Sequence, residues 1–284
     1  VPTPAVAYLT RKNLADAGIV ISASHNSMEY NGLKVFNAQG YKLADEIEAR
    51  IEARILSPEA ADLPTGAALG RRVQRDAAAE DYARFLEESA ECRLDGLHLV
   101  LDTANGAAYE VAPRVFSALG AQVECIGNTP DGTNINADCG STHPEGLQAA
   151  VREHGADIGL AFDGDADRLI AVDEQGRLVD GDRVMAVCAT DMQARGKLAQ
   201  NTVVGTVMSN LGLQLYLEKH GMRLEKTAVG DRYVLERMLA EGYNFGGEQS
   251  GHVILLDKNT TGDAMLTALQ LLGVAVRSGK TLGQ

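Results

Sequence analysis

Short apolar runs alternate along this chain with segments of helical period, and that rhythm restricts the fold to the α/β class. Residues 97–102, Gln122–Ile126, 157–162, 202–208 and 253–256 read as strands, and 17–23 (AGIVISA) reads as a strand entering a polar loop. Residues 77–88, 109–119, 144–153, 182–195, Leu211–Lys219, 232–239 and 264–276 read as helices. Leu43, Ile47, Ile51 and Ile55 recur every four residues among Glu and Arg, so 43–56 is expected to form an amphipathic helix. Residues 169–172 and 177–179 flank Glu174-Gln175-Gly176 as a hairpin. The stretch 57–75 is rich in Pro, Gly and Ala, carries Arg71, Arg72 and Arg75, and reads as a connection. The expected units are 1–75, 76–180 and 181–284.

Composition excludes several classes. With 26 basic against 39 acidic residues, the formal charge is −13. A surface so acidic opposes non-specific binding to nucleic acid or anionic membranes. An anionic substrate then needs a local cationic pocket or a metal ion. Trp is absent and aromatics make up 5% of the chain, which disfavours base-stacking surfaces. No apolar stretch approaches the roughly 18 residues of a membrane span. The four cysteines (Cys92, Cys125, Cys139, Cys188) are far apart with no C-x-x-C, so a reducing, cytoplasmic setting is expected.

Asp163-Gly164-Asp165-Ala166-Asp167-Arg168 directly follows a buried strand. Positions two apart at a strand end point the same way, so the three carboxylates are expected to converge on one hard divalent cation, Mg²⁺ or Ca²⁺. Three clustered carboxylates repel one another and need a cation to stay ionised together. An EF-hand is disfavoured, because its sixth position requires Gly and here holds Arg168. The plain alternative is a solvated acidic turn. Arg168 is either an ion-pair partner or a phosphate ligand.

Two other loops carry polar chemistry. Ser22-Ala23-Ser24-His25-Asn26 exposes a small hydroxyl after a strand but lacks the G-x-S-x-G of a hydrolase. Asn31-Gly32 makes a turn ahead of Lys34, which is either a surface lysine or an acid/base near a phosphate. Gly246-Gly247-Glu248-Gln249-Ser250-Gly251-His252 gathers acceptors, donors and an imidazole, a set suited to sugar hydroxyls, or is an ordinary Gly-rich hairpin. Val229-Gly230-Asp231-Arg232 at a helix start is either a cap by Asp231 or a loop lending Arg232 to an anion.

Taken together and in this order, these strings resemble the α-D-phosphohexomutase superfamily over essentially the whole chain. The strings 102–108 (DTANGAA), 139–145 (CGSTHPE) and 229–234 (VGDRYV) resemble its bacterial phosphoglucosamine branch in particular. The resemblance implies tandem α/β domains, with mixed sheets sandwiched by helices and an active site in the cleft between domains. It implies that Ser24 carries a transferable phosphoryl group and that Asp163, Asp165 and Asp167 bind one Mg²⁺ with the Ser24 phosphate. It further implies that Arg168 contacts that phosphate, and that Lys34 acts as general acid/base with His25 nearby. Glu248 and Ser250 hold sugar hydroxyls, His252 lines the pocket, and Arg232 joins the substrate-binding set. The implied reaction interconverts glucosamine 6-phosphate and glucosamine 1-phosphate through glucosamine 1,6-bisphosphate, feeding cell-wall precursor synthesis. The implied partner is a small phosphosugar, without nucleic acid or membrane, and the protein is a monomer or homodimer.

The alternatives are a phosphomannomutase or phosphoglucomutase, which differ at the substrate's C2 group, and an inactive sugar-phosphate or metal-binding fragment. Two departures bear on them. Ser27 stands where the family usually has Pro. The family's initial arginine segment and its C-terminal phosphate-gripping loop find no counterpart in the chain, so an incomplete first domain and a missing fourth are expected.

Overall fold

The computed structural model describes residues 1–58 and 63–284, and part of the expected 57–75 connection therefore lies outside the described residues. The N-terminal segment holds α1 (Thr3–Lys12), β1 (Ala17–Ser22), β2 (Gly32–Asn37) and α2 (Asp45–Leu56). Pro2 and Pro4 sit at the start of α1, where a missing N–H costs nothing. Strands β1 and β2 pair antiparallel, with Val20 opposite Lys34. Lys34 thus lies on a strand, whereas the sequence suggested only a turn before it. Helix α2 forms as expected, but its apolar stripe stays in solvent, with Ile55 68% exposed.

The middle segment holds α3 (Ala78–Ser89), β3 (His98–Asp102), α4 (Val111–Ala118), β4 (Gln122–Ile126), α5 (Glu145–His154), β5 (Ile158–Phe162), β6 (Leu169–Asp173) and β7 (Leu178–Val179). Its sheet runs β4-β3-β5-β6-β7. β4, β3 and β5 are parallel, and β6 and β7 return antiparallel as the expected hairpin. β5 and β6 are buried along their whole length, which explains their unbroken apolar sequence.

The C-terminal segment holds α6 (Gly181–Ala194), β8 (Thr202–Thr206), α7 (Leu211–Lys219), β9 (Arg223–Thr227), α8 (Asp231–Glu241), β10 (Phe245–Gly247), β11 (Val253–Leu255) and α9 (Ala264–Ser278). Its sheet runs β11-β10-β8-β9, parallel except for the β10–β11 hairpin. Sequence reading missed α1, β2, β9 and β10. β9 (RLEKT) is too polar to stand out, and two of the three residues of β10 are glycine.

One apolar core runs through all three segments, from Ala5 through Tyr82, Phe116 and Phe162 to Met185, Phe245 and Leu271. Helix α9 is buried from Ala264 to Gly273 and forms its spine. Its N-cap, Asp263, accepts from Leu266 N, from the Tyr82 hydroxyl at 2.8 Å and from Asn259 Nδ2 at 3.0 Å. Because the segments share this core, the loops leaving the carboxyl ends of β1, β5 and β10 are held in fixed relation. Crevices outside such strand ends are where open α/β sheets bind ligands.

Candidate active site and metal centre

The three carboxylates after β5 are buried and do converge, with one oxygen of each within 4.8 Å of the others. The cause differs from the expected strand alternation. Residues 163–168 form a tight turn, with Ala166 at φ +59°, closed when Asp163 Oδ1 accepts from Asp167 N at 3.1 Å and Arg168 N at 3.0 Å. Asp165 Oδ2 accepts from Thr3 Oγ1 at 2.6 Å and from Lys34 Nζ at 2.5 Å. Asp167 Oδ2 accepts from Lys34 Nζ at 3.1 Å.

Each aspartate therefore spends one oxygen on protein donors. The other oxygens, Asp163 Oδ2, Asp165 Oδ1 and Asp167 Oδ1, are buried and lack a hydrogen-bond partner among the described residues. Three unsatisfied anionic oxygens in one buried pocket are costly unless a cation completes them, and an all-oxygen set suits a hard divalent ion. The residues present fit a metal centre, and a solvated acidic turn does not describe them.

The pocket's electrostatics have the same origin. Burial, joined by the charges of Asp167 and Asp165, pushes the Asp163 carboxyl well above its usual range. Burial would raise Asp167 too, but positive charge at His252, Lys34 and Lys42 outweighs it and holds this carboxyl low. Burial pulls Lys34 down, yet the adjoining Asp167 and Asp165 carboxylates more than compensate and raise it.

The serine loop meets this pocket directly. Lys34 Nζ lies 3.3 Å from Ser24 Oγ, so one ammonium touches the hydroxyl and two aspartates. Gly164 is required by this approach, because a Cβ there would sit 2.6 Å from the Ser24 carbonyl oxygen. Behind it, a Cβ on Gly106 would lie 2.3 Å from the Gly164 carbonyl. His25 Nδ1 is buried and unpartnered among the described residues, and burial together with the Arg168 charge lowers its pKa. Arg168 Nε stands 4.0 Å from Asp167 Oδ1.

The 246–252 loop closes over the exit of the acid turn. Leu169 N donates to Gly251 O at 3.0 Å, and Arg168 and His252 form a backbone bridge. Glu248 Oε1 accepts from Gly230 N at 3.1 Å, and Ser250 is exposed in the loop. His252 is buried with Nε2 3.4 Å from Asp231 Oδ2. Asp231 is not the cap suggested by its position, since Gly230 is the N-cap and makes no side-chain bond. Its carboxylate pairs instead with Lys42 across the segments. Arg232 likewise binds protein anions, Asp45 and Glu236. Thr3 and Lys42 were missed as site residues, because their partners are remote in sequence and no local string marks them, and Asp231, though inside the 229–234 string, was read there only as a cap.

Three profiles of one family match in series. Phosphoglucomutase/phosphomannomutase α/β/α domain I matches residues 1–62, domain II matches 80–176 and domain III matches 180–284. The chain belongs to the phosphoglucomutase/phosphomannomutase family. Among its curated relatives in that family, the phosphoglucosamine mutase of Pelotomaculum thermopropionicum is 60% identical over 283 residues, covering 99% of this chain and 63% of that protein. That of Alkaliphilus metalliredigens is 56% identical over 285 residues, covering 100% of this chain and 64% of that protein. The chain thus spans about 64% of the length of such relatives.

Solved family structures share the fold. A phosphoglucomutase/phosphomannomutase family protein from Burkholderia thailandensis superposes with a TM-score of 0.82 at 29% identity, over 98% of this chain and 61% of that one. The Aspergillus fumigatus N-acetylphosphoglucosamine mutase, solved with GlcNAc-6P and magnesium, gives 0.73 at 19% identity, over 98% and 75%. Among the described residues no helix is long and apolar enough to cross a membrane.

Proposed function

We propose that this chain forms the phosphoserine and metal-binding part of a phosphoglucosamine mutase, an intramolecular phosphotransferase acting on glucosamine 6-phosphate. The single observation that carries the reading is the meeting of Ser24 Oγ, Lys34 Nζ and the aspartate pocket. Residues 1–75 supply the serine loop, 76–180 the metal loop and 181–284 the sugar loop. The names of relatives 56–60% identical to the chain support the glucosamine substrate over glucose or mannose.

In the proposed cycle, the phosphoryl group on Ser24 passes to O1 of glucosamine 6-phosphate. The Ser24 Oγ–P bond breaks as the P–O1 bond forms, and the O1 proton leaves to a base. Glucosamine 1,6-bisphosphate then turns over in the site and returns its 6-phosphoryl group to Ser24, releasing glucosamine 1-phosphate. Such transfers are driven by positioning and charge neutralisation. Asp163, Asp165 and Asp167 would hold Mg²⁺ through their three free oxygens. That ion would supply charge stabilisation at the transferring group.

Lys34 as it stands is a proton-bearing cation against Ser24. It becomes a base only when its aspartate partners are engaged elsewhere, because they are what raise its pKa. Arg168 and His25 flank the phosphate position. Glu248 and Ser250 offer acceptors and a hydroxyl to the sugar, and His252 backs that loop. Arg232 acts through Asp45 and Glu236, holding the start of α8 in place.

The test is turnover of glucosamine 6-phosphate by the full-length protein primed with its bisphosphate. Ser24→Ala is expected to abolish turnover and the mass increment of a phosphoryl group on the intact chain. Undiminished turnover by Ser24→Ala would refute the assignment. Comparing kcat/KM among glucosamine, glucose and mannose 6-phosphates decides the substrate.

A further inference from the structure

The strings 102–108 and 139–145 are organised around one buried carboxylate. Asp102 Oδ1 accepts from Ala104 N at 3.0 Å, and its Oδ2 accepts from Gly140 N at 2.7 Å. The second string ends the long connection from β4 to α5. Asn105 pins that connection twice, donating from Nδ2 to Asn134 O at 3.3 Å and accepting at Oδ1 from Thr129 N at 3.0 Å. Asn136 N donates to Ala104 O at 2.9 Å. Asn136 is buried at φ +56°, a left-handed conformation that Asn tolerates better than most residues.

From that position the Asn136 side chain reaches out of the middle segment to the serine loop. Its Nδ2 donates to Ser24 O at 2.8 Å and to Asn26 O at 2.7 Å. Both partners are carbonyls, which only accept, so the amide must present its NH₂ to them. The two bonds straddle His25 and fix the main chain on both sides of it. Ser24 itself sits at φ +54°, which a residue with a Cβ holds only under outside restraint. The same scaffold is tied to the acid turn, since Ala107 N donates to Gly164 O at 2.8 Å.

We infer that Asn136 is the positioning residue of Ser24: its carboxamide clamps the strained serine loop in register with the aspartate pocket, and the strings 102–108 and 139–145 are the frame that aims it. This inference rests on the proposed role of Ser24. Asn136 bonds main-chain carbonyls rather than the reacting hydroxyl, so it acts through Ser24. A nucleophile displaced by an ångström loses rate far more than the substrate loses affinity.

The experiment uses Asn136→Asp in the full-length protein. This change keeps size and left-handed tolerance but sets carboxylate oxygens against the two carbonyls. Amide hydrogen exchange in 23–27 is expected to quicken by about tenfold or more, while exchange in 163–168 stays within about twofold of the parent. Divalent-cation affinity by calorimetry is expected to hold, with kcat down about 10–100-fold and KM within about threefold. Unchanged exchange in 23–27 overturns the clamp, as does equal loosening of 163–168 with loss of cation affinity, the mark of a merely structural residue. Should Asn136→Asp not fold, Asn136→Gly keeps the backbone geometry without donors and is read the same way. Absent turnover by the parent protein would strike the mutase assignment instead, and the exchange arm still decides the clamp.

Discussion

Lys34 Nζ donates to Asp165 Oδ2 at 2.5 Å, bringing a strand of the first segment into the acid turn of the second. This ammonium is both the partner of Ser24 and a competitor for the carboxylates. Lys34→Met is therefore expected to act in opposite directions on two measurements. Turnover should fall by about 10²–10⁴-fold with loss of the proton carrier. Divalent-cation affinity should rise by about tenfold or more, because a like charge leaves the pocket. Calorimetry showing weaker cation binding would contradict this account.

Thr3 gives the same aspartate its second donor, at 2.6 Å. Thr3→Val keeps the shape and deletes the hydroxyl. Hydrogen bonds behind metal-binding carboxylates typically matter about 10–100-fold in affinity, and a loss in that range is expected by calorimetry. Equal affinities for the two proteins would show that Thr3 serves packing alone.

Gly164 has no room for a side chain, since a Cβ would stand 2.6 Å from Ser24 O and 2.7 Å from Asn136 Nδ2. Gly164→Ala must push the serine loop off the acid turn or strain both. Overpacking of this kind costs about 1–3 kcal/mol. Thermal unfolding should shift down by a few degrees, and turnover should drop more steeply than stability does. A variant with normal turnover would mean that the two loops need not touch.

Glu91 binds Arg195, Lys197 and Arg277, joining the end of α3 to the C-terminal segment. Its hydrogen bond to Arg195, reinforced by Lys197, lowers its pKa to about 2 from an ordinary 4.5. A depressed carboxyl stabilises the fold above its unfolded-state pKa and loses that contribution as pH falls through the folded value. Glu91→Gln should therefore cost about 1 kcal/mol at pH 7, after allowance for solvent screening, in denaturant titrations. The gap should narrow below pH 4.5 and close toward pH 2. A gap independent of pH would assign the effect to packing.

Local strings carried much of this protein into view. Apolar runs and four-residue periods marked most strands and helices, because burial of one face leaves its period in the residue order. Ser24, His25, Asp163, Asp165, Asp167 and Arg168 were legible for a related reason: each belongs to a tight loop whose chemistry is contiguous. The sequence also marked Lys34, though without the strand that aims it.

What the residue order could not disclose is which loop faces which. Thr3 meets Asp165 across 162 positions, Lys42 meets Asp231 across 189, and Asn136 meets Asn26 across 110. Single-residue contacts at such separations leave no period and no motif. They exist because one apolar core joins the two larger sheets and reaches α1, while a small cluster of Ala7, Val20 and Phe36 fastens the β1–β2 hairpin to that helix. Chain chemistry determined the inventory of loops and the charge each bears. Tertiary packing decided their registry, and with it which oxygens were left free for a cation, since burial alone makes an unpaired carboxylate oxygen costly.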